Sequence, residues 1–301
     1  MNQYKIDFNN TKLHIYNWDC QNPKAIIQIV QGVNEHGLRY NELGEFLSSK
    51  GYLVYTHDTV SQGQSRLESE ETVYFCKNGL SVLTDAIIHV YNHITEAHKD
   101  LPVYAIGHSL GAGLLRYVIG TEAKLYDRVV LNGTAYQDPK PIQKGIMIGN
   151  LIKLFGKKKS SKMFNDIFRE TQYKLRDYVE MDHFIEWLTR DKDYTELNKK
   201  DEYLYINLSV AAFVDMFKLF KAINTESHIN ATHTNTKILL LSGTHDPSTD
   251  FSAGTMDLYQ KYTDLTQVDI SYRLYTEGRH DTFQETNRQD VFKDINYFFE
   301  E

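Results

Sequence analysis

The stretch YAIGHSLGAGLLR, residues 104 to 116, places Ser109 between Gly107 and Gly111, directly after an apolar run and directly before a helix-period one. Gly-x-Ser-x-Gly is too short to mean much alone. Its weight comes from lying at a strand-to-helix turn, where a serine held on a strained backbone is presented at the top of a sheet. Glycine neighbours suit such a turn, because adjacent segments come too close for a Cβ. A helix starting just after Ser109 also aims its dipole and unpaired N–H groups at the place where an oxyanion would form.

Working outward, apolar runs rich in β-branched residues recur at AIIQIV (25 to 30), YLVYTH (52 to 57), VYAIG (103 to 107), RVVLNG (128 to 133) and KILLLSG (237 to 243). Near-continuous runs of this kind predict strands buried on both faces. Helix-period stretches alternate with them: Arg39 to Lys50, closed by Gly51; Gly79 to His98; and Leu110 to Ile119, closed by Gly120. The alternation predicts an α/β fold with a mostly parallel central sheet flanked by helices. Tyr4 to Phe8 and Lys12 to Trp18, around Asn9-Asn10, read as an antiparallel hairpin in front of it. VDISYRLY (268 to 275) reads as a last strand and Asn287 to Glu300 as a last helix. Between Ala135 and Thr232 the helical patterns continue without a convincing strand, which predicts a helical cap inserted into the sheet. The expected division is therefore a core of residues 1–134 and 233–301 and a cap of residues 135–232.

Composition narrows the class. The chain has 301 residues, 33 Lys and Arg against 40 Asp and Glu, and a net charge of -7, which argues against a nucleic-acid partner. No signal-peptide core and no membrane-length apolar run is present, so a cytoplasmic location is expected. Cys20 and Cys76 are too few for a disulfide framework and lack metal-ligand spacing. Within the insertion, GIMIGNLIKLFGKKKSSK (145 to 162) joins an apolar segment to Lys157, Lys158 and Lys159. It reads as a surface helix with a solvated charged end, or as a lid making transient contact with a membrane surface.

A nucleophilic serine needs a base, and the base needs a carboxylate to orient it. For this topology the chain order should be serine, acid, histidine. His280 is the only histidine after His245, and it lies in the loop GRHDTF after the last strand. The acid should follow the preceding strand, where THDPSTD offers Asp246, with Asp250 as second choice; Pro247 stiffens the turn at Asp246. Two backbone donors should form an oxyanion hole: the N–H of Leu110, and that of Val33 in the loop QGVNEHGLRY, where Gly32 lets the chain turn close to the site. His36 in the same loop precedes the serine and reads as a packing residue. His89 and His93 have the spacing of zinc ligands on a helix, but no HExxH pattern accompanies them. Gly111-Ala-Gly113 is only a fragment of a dinucleotide fingerprint.

With those residues in place, the chain resembles the α/β-hydrolase superfamily, and within it the monoacylglycerol lipase and lysophospholipase-like hydrolases grouped with the serine aminopeptidases. QGVNEHGLRYNELGEFLSSKGYLVYTHD is similar to that family's oxyanion segment, GHSLG to its nucleophile motif, SGTHDP to its acid loop, YTEGRHDTFQETNRQDVFKDINYF to its histidine loop and closing helix, and WLTRD (187 to 191) to a cap segment of bacterial members. DTVSQGQS (58 to 65) departs from the family pattern, with Ser61 and Gln62 replacing Gly and His. The resemblance implies ester hydrolysis through an acyl-enzyme by Ser109, Asp246 and His280, on monoacylglycerols, lysophospholipids or short acyl esters, with no metal or organic cofactor. Two other readings stay open. An aminopeptidase would need a cap carboxylate for the substrate's amine, with Glu180, Asp182 and Glu186 available. A non-catalytic binding protein could have kept the fold. The sequence leaves acyl length, headgroup and oligomeric state undetermined.

Overall fold

A computed structural model describes residues 1–66, 71–122 and 124–301. Eight strands form one sheet: β1 (Asn2–Phe8), β2 (Thr11–Trp18), β3 (Ala25–Val30), β4 (Tyr52–His57), β5 (Val103–His108), β6 (Arg128–Asn132), β7 (Lys237–Gly243) and β8 (Ile270–Tyr275), in the spatial order β1-β2-β4-β3-β5-β6-β7-β8. β1, β2 and β4 pair antiparallel, and every pair from β4 to β8 is parallel. The expected hairpin and parallel core are both present.

Because successive strand residues point to opposite faces, one strand feeds two cores. In β3, Ile26 and Val30 join a cluster with Leu114, Leu115 and Val118, while Ile27 and Ile29 join one with Leu43, Leu47, Val291 and Phe292. The first face is covered by α2 (Gly79–Glu96), α3 (Leu110–Thr121) and α9 (Ala253–Leu265), the second by α1 (Asn41–Ser49) and α10 (Arg288–Glu300). Gln28, a polar residue at the sheet centre, is satisfied on both sides: it donates to the Ile87 carbonyl and accepts from the Tyr126 hydroxyl.

One local expectation is corrected. Gly120 does not close its helix, which runs on to Thr121. A Cβ at Gly120 would sit 2.5 Å from the His228 ring, so close packing is what the glycine serves. Gly51, by contrast, has φ +85° and ends its helix as expected. In the loop of Gly32 it is Asn34 that takes a left-handed backbone, with φ 57°, and a Cβ at Gly32 would lie 3.0 Å from the Glu35 carboxylate, so the chain is tightly packed at that glycine.

Between β6 and β7 the chain forms α4 (Pro139–Lys153), α5 (Lys162–Tyr173), α6 (Lys192–Lys200), α7 (Val210–Ile223) and α8 (Glu226–Asn230). Phe213, Met216, Leu219 and Ile223 of α7, with Ile229 of α8, share the apolar cluster of α3. The end of this segment is thus continuous with the main core. A separate small cluster of Leu175, Ile185, Trp187 and Leu188 packs with Phe251, beside the loop after β7.

Candidate active site

The turn between β5 and α3 holds Ser109 at φ 53° and ψ -114°, a region costly for a residue with a Cβ. Neighbouring contacts leave no room for side chains on either glycine of the motif. A Cβ on Gly107 would come within 2.7 Å of the Ala112 backbone, and one on Gly111 within 2.0 Å of the Val30 carbonyl oxygen. The Ser109 N–H donates to the Asn132 carbonyl at 2.9 Å, tying the turn to the end of β6.

Loops after β7 and β8 bring the other two residues together. Nδ1 of His280 lies 2.8 Å from Oδ2 of Asp246, and both are buried. The second Asp246 oxygen accepts the Ser248 N–H at 2.8 Å, so neither oxygen of that buried carboxylate is left without a donor. Nε2 of His280 is buried and makes no hydrogen bond among the described residues. His280 borders a small cavity together with Ser109, Val33 and Trp187. Asp250, the second choice for the acid, is exposed in a left-handed turn and does not join this group.

The histidine loop is braced by the inserted segment. Trp187 stacks on the His280 ring, its carbonyl accepts the His280 N–H, and the Leu188 carbonyl accepts that of Asp281. A Cβ at Gly133 would lie 2.9 Å from the imidazole, so Gly133 too is packed close to the ring.

Behind Ser109 is a buried polar network that no motif in the sequence signals. Glu35 accepts from the Gly32 N–H at 3.0 Å and from the Tyr40 hydroxyl at 2.7 Å, and its other oxygen lies 3.3 Å from Nε2 of His108. Burial alone would raise the Glu35 pKa, but His108, Arg39 and the Tyr40 hydroxyl outweigh it and hold the carboxylate well below its usual range. Nδ2 of Asn132 lies 2.8 Å from Nδ1 of His108, and Oδ1 of Asn132 accepts from Thr282. The His108 ring centroid is 4.8 Å from that of His280. Glu35, His108 and Asp281 could in principle hold a cation, but Arg39 donates to Asp281 at 2.9 Å and fills that role with its own charge.

Val33 and Leu110 border the main cavity beside Ser109. The loop of Val33 is held from outside by Gln62, whose Oε1 accepts the Asn34 N–H. Gln62 stands where the family pattern has His, so the departure in DTVSQGQS supports this loop. His36 turns away to Asp201 at 2.8 Å, where burial raises the Asp201 pKa but the His36 hydrogen bond brings it below the usual value. His89 packs on Phe8, and His93 meets the Tyr4 hydroxyl at 3.1 Å. The main cavity is lined by Ser109, Arg116, Ile142, Phe164, Phe213, Met216, Phe220 and Ile223 among others, and none of the described acidic residues lines it. Glu180 and Asp182 are exposed, and Glu186 caps a helical turn by accepting the His183 N–H.

A family model described as serine aminopeptidase, S33, matches residues 21–287. A monoglyceride lipase homolog of Monkeypox virus is 34% identical over 109 residues, which is 36% of this chain and 38% of that protein. The phospholipase YtpA of Bacillus subtilis (strain 168) is 23% identical over 283 residues, covering 93% of this chain and 96% of its own. A carboxyl esterase from Bacillus coagulans, solved with glycerol, superposes with a TM-score of 0.90 at 17% identity, covering 100% of this chain and 98% of its own. The chain thus spans little more than a third of the length of the viral relative, while the weaker bacterial match is end to end.

Proposed function

This chain belongs to the serine aminopeptidase S33 family and has the α/β-hydrolase fold, and from that premise we propose that it hydrolyses carboxylic esters at Ser109. The observation that carries the reading is the pairing of a buried His280–Asp246 couple with a strained Ser109 beside a mainly apolar cavity. In this mechanism Oγ of Ser109 attacks the ester carbonyl while its proton passes to Nε2 of His280. Asp246 fixes the imidazole by Nδ1 and stabilises the imidazolium that forms. The N–H groups of Leu110 and Val33 receive the negative charge on the carbonyl oxygen. Collapse of the tetrahedral intermediate expels the alcohol, which takes the proton from His280. Water then attacks the acyl-enzyme by the same route and releases the acid.

The substrate class we propose is monoacylglycerols, lysophospholipids or other small acyl esters, because aliphatic and aromatic side chains line the cavity. The names of the relatives, monoglyceride lipase and phospholipase, point the same way. An aminopeptidase is the less favoured reading: none of Glu180, Asp182 and Glu186 borders either cavity at Ser109. A non-catalytic binding role leaves the strain at Ser109 without a purpose. No helix of the described residues is long and apolar enough to cross a membrane. We propose a cytoplasmic protein that touches membrane surfaces through α4 and Lys157 to Lys159, a contact supported by the exposed Met147, Leu151, Leu154 and Phe155.

The test is turnover of p-nitrophenyl esters of graded chain length beside an aminoacyl-nitroanilide, with fluorophosphonate labelling of the wild type and Ser109→Ala. Ester turnover and labelling that vanish in Ser109→Ala are expected. Anilide turnover alone would favour the peptidase, and neither turnover nor labelling would exclude both enzymes.

A further inference from the structure

Two cavities meet at Ser109. The main one offers about 230 Å³ of free space and the smaller about 70 Å³, and Ser109, Val33, Phe168 and Ser248 border both. His280 borders only the smaller. That asymmetry separates their roles. An alcohol expelled from the tetrahedral intermediate takes its proton from Nε2 of His280, so it departs on the side of the imidazole, and the acyl chain is left to the main cavity.

The side that receives the alcohol is mainly apolar. Phe168, Phe184, Ile185, Trp187, Leu188 and Leu204 border the smaller cavity. Its polar side chains are mostly engaged elsewhere: Glu35 accepts from Gly32 and Tyr40 and faces His108, the Ser248 hydroxyl donates to Gln172 at 3.0 Å, and Nδ2 of Asn34 donates to the Ile206 carbonyl at 2.9 Å. Oδ1 of Asn34 is the one acceptor of these three side chains left without a donor among the described residues. At roughly 10–15 Å³ of free space per water-sized group, the cavity takes about five to seven non-hydrogen atoms. Butan-1-ol and propane-1,3-diol are both of that size.

We propose that the smaller cavity is an acceptor site for short aliphatic alcohols, and that the protein transfers acyl groups from Ser109 to them in competition with water. The proposal rests on the ester-hydrolase reading. By microscopic reversibility the path of a leaving alcohol is also that of an incoming one. The alcohol oxygen attacks the acyl carbonyl carbon while its proton passes to Nε2 of His280. Collapse of the tetrahedral intermediate breaks the bond to Oγ of Ser109, Oγ recovers the proton from Nε2, and a new ester leaves. Each methylene buried against this lining favours the alcohol about fourfold, so a four-carbon chain gains roughly 200-fold over water. Butan-1-ol at a few tenths molar then competes with bulk water for the acyl-enzyme. A second hydroxyl in the same space has only Oδ1 of Asn34 to meet.

The experiment gives the full chain p-nitrophenyl octanoate as acyl donor and measures, by gas chromatography, the ratio of new ester to octanoic acid at equal concentrations of different alcohols. Butan-1-ol should give a ratio about tenfold above that of propane-1,3-diol, its equal in size. Along the linear alcohols the ratio should rise from methanol and stop rising near hexan-1-ol, where the cavity is full. Leu204→Ser, at a residue that takes no part in the chemistry, should lower the butan-1-ol ratio about fivefold and leave hydrolysis without alcohol nearly unchanged. An unchanged ratio in that variant overturns the placement of the alcohol in this cavity. In the wild type alone, acid without butyl octanoate, or a ratio as high for the diol, overturns the transfer while the ester-hydrolase reading stands. Release of neither product overturns both.

Discussion

Trp187 lies flat on His280, with ring centroids 4.5 Å apart and 26° between the planes. The tryptophan comes from the stretch between β6 and β7 and the histidine from the loop after the last strand, so that stretch packs directly on the proposed base. A ring stacked on Trp187 and bonded to Asp246 has little freedom to rotate Nδ1 away, and precise placement of a base is worth a large factor in rate.

Trp187→Ala should therefore lower kcat for a soluble ester by about tenfold through loss of base positioning, with a smaller change in KM. Removing a buried indole should also cost about 3 kcal/mol of stability. Trp187→Phe should recover most of both, since it keeps a ring over the imidazole. Steady-state kinetics and urea unfolding check this; a stability loss with unchanged kcat would reduce Trp187 to packing.

Ser109→Gly should abolish turnover and yet raise stability. The serine is held at φ 53°, where a Cβ is unfavourable, and relief of that strain outweighs the extra freedom glycine gives the unfolded chain by about 1 kcal/mol. Thermal unfolding should rise by about 2 °C. Ser109→Ala, which keeps the Cβ, should be inactive without this gain. A lower midpoint for the glycine variant than for the alanine one contradicts the strain argument.

Glu35→Gln should cost about 3–5 kcal/mol at pH 7, because it breaks a buried charge network and leaves Arg39 and His108 short of a partner. The folded-state pKa of Glu35 is depressed, so its contribution is fully present above the unfolded value of about 4.3 and is lost as pH falls through the folded value. The wild type should lose stability more steeply than Glu35→Gln on going from pH 5 to pH 2. Since Glu35 also holds the Gly32 N–H next to Val33, kcat should fall with KM nearly unchanged. Parallel acid-unfolding curves for the two proteins would remove Glu35 from this role.

Leu154 and Phe155 are 78% and 79% exposed at the end of α4, next to Lys157, Lys158 and Lys159. Replacing Leu154 and Phe155 together by Ser should reduce co-sedimentation with phosphatidylglycerol vesicles several-fold while leaving turnover of a soluble short-chain ester intact. High salt should weaken wild-type binding, as the lysines contribute by charge. Equal sedimentation of the two proteins would make this face ordinary surface.

Much of the fold is legible in the order of residues alone. Strand and helix alternation is a local signal, set by whether apolar residues recur every residue, every second or every third to fourth, and it is enough for the sheet, the hairpin and the position of Ser109. Where it fails, the failure is local and has a cause. Gly120 looks like a helix stop because glycine favours such ends, whereas it is there to admit a distant group, the His228 ring. WLTRD stands out only by its likeness to other caps, and nothing in its residues says that its Trp should touch a histidine.

Hydropathy pattern and chain order settle which elements form and in what succession, and so which loops must meet at the end of the sheet: the turn at Ser109, the loop of Asp246 and the loop of His280. Parallel strands with helical crossovers leave those loops at one edge, so chain order is sufficient for them. Packing decides what surrounds them. Trp187 over His280 and Glu35 against His108 are contacts whose energy depends on burial and on the absence of competing partners. Those two quantities exist only once the chain is packed, because water satisfies every charge and hydrogen bond of an open chain.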